Sequence, residues 1–145
     1  MANEPQTLVE RRAMLAKREH KWRAGGDVML GIFVEGTVAG SCGLHRRLGP
    51  SALEIGYWLH RSFTRRGLAT TAARLLTEAA FSRPEITHVE IHTDRANSAS
   101  AGVPRRLGYR LVGERPDERH GPADVGIECV WRMGRDVWER GRRDA

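Results

Sequence analysis

The spacing of apolar and polar residues divides the chain into alternating strand-like and helix-like stretches. Residues 28–35, VMLGIFVE, form a nearly continuous apolar run that reads as a buried strand. Glu35-Gly36 is a tight turn, and residues 37–46 pair back as a hairpin. Gly49-Pro50 marks another turn before ALEIGYWLH, residues 52–60, so 28–60 is predicted to be an antiparallel meander. A helix is predicted over about 67–81, with Leu68, Ala72, Leu75, Leu76 and Ala79 as its apolar face. Residues 86–94 alternate as a strand, and 97–107 form a short helix with Asn97 as its cap. Residues 109–114 and 125–133 are two more strands around a polar loop at 115–124, and the tail from Arg135 reads as a short helix. Near the start, Thr7 and Glu10 form a capping box for a helix over about 8–23, stopped by Gly25-Gly26-Asp27.

The order is helix, three antiparallel strands, helix, strand, helix, two strands. That is an α/β mixed sheet with a strand-to-helix crossover near its middle, where ligands of open sheets bind. At 145 residues the chain is read as one domain, 1–145. No apolar run approaches the ~18 residues of a membrane span, and the first residues lack the basic-then-apolar pattern of a signal peptide. Cys42 and Cys129 make neither a metal-ligand spacing nor a disulfide framework, which fits a reducing cytoplasm and no metal. The formal charge of +6 favours anionic partners. No helix-turn-helix pattern, zinc spacing or aromatic RNA-binding motif accompanies it, so no nucleic acid is expected.

The candidate chemistry sits at EIGYWLHRSFTRRGLATTAARLL, residues 54–76. It begins like a strand and ends like a helix, with Arg65-Arg66-Gly67 at the junction. A helix N-terminus offers unpaired N–H groups and a partial positive charge to an anion. Gly67 permits close backbone approach, Arg65 and Arg66 add charge, and the Thr70 hydroxyl can reach the same end. The same spacing also describes an ordinary glycine junction with solvated arginines. Gly56 inside the strand marks a bulge, a ligand's close approach, or a packing glycine under a bulky neighbour.

Residues 54–76 resemble the acetyl-CoA-binding core of the GNAT superfamily of N-acetyltransferases, and DRANSASAGVPRRLGYRLVGE resembles the second half of that fold. The combination is most like the RimJ/RimL branch of ribosomal-protein N-terminal acetyltransferases, over roughly residues 28–133. The family pattern Gln/Arg-x-x-Gly-x-Gly/Ala puts its glycine on Gly67 and its last position on Ala69; its first falls on Thr64, a departure that Arg65 offsets in charge. By resemblance, Arg65, Arg66, Gly67, Leu68, Ala69 and Thr70 cradle the pyrophosphate of acetyl-CoA, Tyr57, Trp58 and Leu59 pair with the pantetheine arm, and Asn97 contacts that arm from the other side. The resemblance also implies a strand and a helix ahead of residue 8, for which there is no room. The chain is thus expected to be N-terminally shortened relative to the family, with 28–35 left as a sheet edge that favours a homodimer.

The implied activity is transfer of the acetyl group of acetyl-CoA to a primary amine, a protein N-terminus or a small molecule, by direct attack. Family members with a glutamate base carry it five residues before the asparagine, a position held here by His92; Glu54 is a second candidate and Glu90 a third on the same strand face as His92. The tyrosine that many relatives use as an acid falls on Pro104, while Ser100 matches the serine proposed for the RimL-like branch. Ser100, His92 and Glu54 are therefore the candidate catalytic residues. The departures at Thr64 and Pro104 keep open a degenerate acetyl-CoA-binding module without turnover.

Overall fold

The computed structural model describes residues 25–144 and, ahead of them, Val9 and Ala13 alone. The helix expected over 8–23 lies, apart from those two positions, outside the described residues. Strand β1 is Val28–Val34, β2 Thr37–His45 and β3 Ala52–Leu59. A 3-10 turn at Arg61–Phe63 leads to helix α1, Leu68–Phe81, and strand β4, His88–Asp94. Helix α2, Ser98–Arg106, is followed by β5, Arg110–Pro116, β6, Ile127–Gly134, and α3, Arg135–Arg143.

The six strands form one sheet in the order β1-β2-β3-β4-β6-β5. All neighbours are antiparallel except β3 and β4, which run parallel because α1 carries the chain back between them. The β1–β2 hairpin closes through Glu35 (φ 49°) and Gly36 (φ 80°), the two left-handed residues that such a turn requires.

One pairing is short. Strand β3 meets β4 only from Ala52↔His88 to Ile55↔Ile91. Beyond that point Gly56–Leu59 and His92–Asp94 have no partners in each other, although β3 stays paired with β2 as far as Leu59. The mixed sheet therefore opens like a V in its middle. Register along β2–β3 is continuous through Gly43↔Gly56, so Gly56 is not a bulge. A Cβ there would meet the His45 ring at 3.2 Å, which makes Gly56 a packing glycine under histidine.

The core lies between the sheet and α1 and α2. Leu53, Ile55, Val89, Ile91, Trp131 and Met133 face Ala73, Leu76 and Ala80. The helix face differs from the one predicted: Leu75 is 53% exposed and Ala79 is also exposed, while Ala73, Leu76, Thr77, Ala80 and Phe81 are buried. The pattern was obscured by Thr77, a polar residue inside. Its hydroxyl bonds the Ala73 carbonyl (2.7 Å) and the buried Tyr109 hydroxyl (2.6 Å), so its burial leaves nothing unpaired. Strand β1 is half-exposed rather than buried, with Phe33 63% exposed; among the described residues it is an edge strand, with a strand neighbour on one side. Strand β5 extends two residues into the expected loop, because Arg115 and Pro116 continue the pairing with β6. Arg135 ties the end of α1 to α3 by donating to the carbonyls of Phe81, Arg83 and Ile86.

Candidate active site

The loop after β3 ends at a bare helix N-terminus. Arg65 (φ 64°) and Gly67 (φ 74°) are both left-handed and bracket Arg66. Gly67 is the N-cap of α1 and no side chain caps it, so the first-turn N–H groups remain available. A left-handed arginine costs about 1–2 kcal/mol, and strain of this kind collects at functional sites.

This loop floors a cleft of about 260 Å3. Tyr57, Trp58 and Leu59, the end of β3 that β4 leaves without a partner, form one wall. Thr64, Arg65 and Gly67–Thr70 form the floor, and Asn97, Ala99, Ser100, Val103 and Arg106 of α2 form the other wall. All the expected cofactor residues except Arg66 are thus gathered in one place; the Arg66 guanidinium lies over the Phe63 ring at 5.3 Å instead. Asn97 accepts from the Ser100 N–H at 3.0 Å and so orients the helix that carries the second wall.

Pro104 sits inside α2, where it has no N–H to give to the carbonyl four residues back. That carbonyl belongs to Ser100, and the Tyr57 hydroxyl fills the vacancy at 2.8 Å. The Ser100 hydroxyl in turn donates to Tyr57 Oη at 3.2 Å. Two hydroxyls are thereby held together at the inner end of the cleft. Burial raises the Tyr57 phenol above its ordinary range, with the Ser100 hydrogen bond opposing, so it keeps its proton at neutral pH.

A second cavity of about 530 Å3 borders the same gap through His92, Thr93 and Asp94, the end of β4 that β3 leaves without a partner. Glu54, Glu128, Arg47 and Arg115 also line it. His92 Nδ1 lies 2.9 Å from Glu128 Oε1 and 3.5 Å from Glu54 Oε1, and Nε2 lies 2.9 Å from Glu90 Oε1. Glu90 is 5% exposed and takes two bonds from Arg132, at 2.7 and 3.0 Å. Burial alone would raise its carboxyl, but the bonds from His92 and Arg132 outweigh this and hold it below the ordinary range. Arg47 lies 3.3 Å from Glu54, and Arg115 pairs with Glu128. Among the described residues no group of three His, Cys, Asp or Glu side chains is arranged to hold a metal ion.

Two clefts flanking a splayed pair of parallel strands, with a bare helix N-terminus beside one of them, are matched at the sequence level as well. Residues 1–110 fit the family model described as the acetyltransferase (GNAT) domain. The chain belongs to the GNAT acetyltransferase family. In Bacillus subtilis (strain 168) the "Putative ribosomal N-acetyltransferase YdaF" is 34% identical over 89 residues, 60% of this chain and 48% of that protein. The chain thus spans about half the length of the curated relative it matches. Among solved structures, RimL, a ribosomal L7/L12 α-N-protein acetyltransferase in complex with coenzyme A, superposes with a TM-score of 0.77 at 24% identity over 91% of this chain and 75% of its own. Mycobacterium smegmatis RimJ, in complex with CoA-disulfide, gives 0.79 at 16% over 99% and 74%. At those identities the likeness is one of fold, the GNAT acyl-CoA N-acyltransferase fold.

Within this GNAT fold, several lining residues escaped the sequence reading. Ala99, Val103 and Arg106 follow each other at helical spacing from the Asn97 cap, so the period of α2 could have pointed to them. Glu128 had no such signal; it lies 36 residues from His92 and arrives beside it only through the β4–β6 pairing.

Proposed function

We propose that the protein is an N-acetyltransferase that passes the acetyl group of acetyl-CoA to a primary amine at the gap between β3 and β4. The observation that carries this reading is the short β3–β4 pairing, which puts a phosphate-ready helix end and a hydroxyl pair on one side of a gap and a carboxylate-lined cavity on the other. The first-turn N–H groups of α1, with Arg65, receive the pyrophosphate. The free backbone edge of Tyr57–Leu59 receives the pantetheine arm as an added strand would be received. The thioester then reaches the gap and the amine enters from the second cavity.

Direct attack needs a neutral amine, a polarised carbonyl and a protonated leaving thiolate. An α-amine of pKa near 8 is roughly 10% neutral at pH 7, and a lysine amine only about 0.04%. His92 and Glu54 face the incoming amine and take its proton. Tyr57 and Ser100 together give a proton to sulfur; Tyr57 is the better acid of the two and replaces the tyrosine missing at Pro104. The acceptor is a protein N-terminus or a small amine; the ribosomal-protein relatives favour the former. Calorimetric titration of acetyl-CoA into the full chain, with adenosine 3′,5′-bisphosphate as the shorter probe, tests the cofactor half; thiol release over a panel of peptides and small amines tests turnover. Binding with turnover is expected. Folded protein that takes up no acetyl-CoA overturns the reading, and binding without turnover would make the chain a cofactor-binding module.

A further inference from the structure

The two ring nitrogens of His92 do not see the same surroundings. Nε2 faces Glu90 Oε1 at 2.9 Å, and Glu90 does not line the second cavity. Nδ1 is met by Glu128 Oε1 at 2.9 Å, Glu54 Oε1 at 3.5 Å and Arg115 Nη2 at 3.5 Å. A carboxylate only accepts and a guanidinium only donates. Nε2 is therefore satisfied by carrying a proton. Nδ1, whose proton and lone pair share one direction, has both kinds of partner beside it: Glu128 accepts its proton at 2.9 Å, and the Arg115 guanidinium at 3.5 Å is a donor for the unprotonated nitrogen. Each flanking carboxylate is anchored in turn, Glu90 by Arg132 and Glu128 by Arg115, while Arg47 and His88 stand beside Glu54 and Glu90 at 3.3 and 3.5 Å. These groups come from β3, β4, β5, β6 and the loop after β2, so His92 is held from every strand around it.

We infer that Glu90 is a positioning residue for proton transfer: by accepting the Nε2 proton of His92, it leaves Nδ1 as the ring nitrogen that takes the acceptor's proton. This rests on the acetyltransferase reading above. An amine arriving as an ammonium gives one proton to Nδ1, and its lone pair forms the N–C bond to the thioester carbonyl. Collapse of the adduct breaks the C–S bond, and the electron pair leaves with sulfur. The Tyr57–Ser100 hydroxyls protonate that sulfur and are refilled by the second proton of the amine nitrogen. The imidazolium returns its proton to water. Glu90 remains a carboxylate throughout, and its role ends at the ring it holds.

The first test is independent of turnover. In the full chain labelled with 15N-histidine, and assigned by subtraction of the His92→Asn spectrum, the two His92 nitrogens are followed across pH. Nε2 is expected to stay protonated while Nδ1 gains and loses the proton. If Nδ1 keeps its proton and Nε2 titrates, the inference is overturned even if acetyl-CoA binds and thiol is released. The second test uses Glu90→Gln, whose amide keeps the shape but can also donate to Nε2. A fall in kcat of about tenfold or more, a displaced pH profile and an unchanged KM for acetyl-CoA are expected, with partial recovery in Glu90→Asp. A folded Glu90→Gln protein with the wild-type kcat and pH profile would sink the proposal. Should that variant not fold, the nitrogen titration of the unaltered chain still decides it.

Discussion

Gly67 offers a direct test of the proposed anion site, because two substitutions there share a shape and differ in charge. A Cβ built at Gly67 meets nothing within 4 Å, so a short side chain fits without displacing protein atoms. The backbone φ of 74° penalises most residues, but asparagine and aspartate tolerate this region better than others and to a similar degree. Gly67→Asn and Gly67→Asp should then share their cost in folding. They differ in what they put before the first turn of α1, a neutral amide or a carboxylate. At a separation of about 6 Å, one unit of like charge costs about 0.7 kcal/mol in water and about 2.8 kcal/mol at an effective dielectric of about 20. Gly67 is exposed, so the site lies between these limits. The aspartate should weaken acetyl-CoA relative to the asparagine by about 1–2.5 kcal/mol, or about 5- to 70-fold in Kd. Calorimetric titration at low salt measures both variants side by side, and the ratio should shrink as salt screens the charge. Equal affinity of the two at low salt would refute the placement of the phosphates at the α1 N-terminus.

Other consequences follow from the hydroxyl pairs and from Glu90. Tyr57→Phe removes the group that joins the two sides of the inner cleft; thiol release should fall about 10- to 100-fold while the acetyl-CoA Kd measured by calorimetry changes little, and an unaltered kcat would remove Tyr57 as a proton donor. Thr77→Val leaves the buried Tyr109 hydroxyl without its partner and should destabilise by about 1–3 kcal/mol in urea unfolding, whereas Tyr109→Phe leaves Thr77 still bonded to the Ala73 carbonyl and should cost about 0.5–1.5 kcal/mol. The double variant should cost less than the sum, since the partner left stranded by the first change is gone in the second. Glu90 has a lowered folded-state pKa, so the stability it contributes is complete above the ordinary carboxylate value and is lost as pH falls through the folded value. The urea midpoint of the wild type should therefore drop through the carboxylate range more steeply than that of Glu90→Gln, and parallel curves would show that Glu90 carries no such linkage.

The elements themselves were legible in the chain. The Glu35-Gly36 turn, the Asn97 cap and the Gly67 junction each state their conformation within four or five residues, because turn and cap chemistry is local. The same short range explains why Tyr57–Leu59, Arg65, Gly67–Thr70 and Asn97, named together from the sequence, line one cleft: a recognised strand–loop–helix motif carries its own geometry. Burial was less legible. An apolar run such as 28–34 does not say whether a strand lies inside or at an edge, and Thr77 could not be read as an inside residue, since its partner Tyr109 is 32 positions away. What only the tertiary structure decided is how distant side chains meet across the sheet. The break in pairing after Ile55↔Ile91 opens the gap. Pro104 looked like the loss of an acid, yet the carbonyl it leaves unpaired is what holds the Tyr57 hydroxyl against Ser100. His92 could be singled out from its place in a motif, but its setting between Glu90 and Glu128 depends on which strand lies beside β4 and in which register. Periodicity encodes the face on which a residue stands, while the identity of its neighbour across the sheet is fixed by long-range pairing that no local pattern contains.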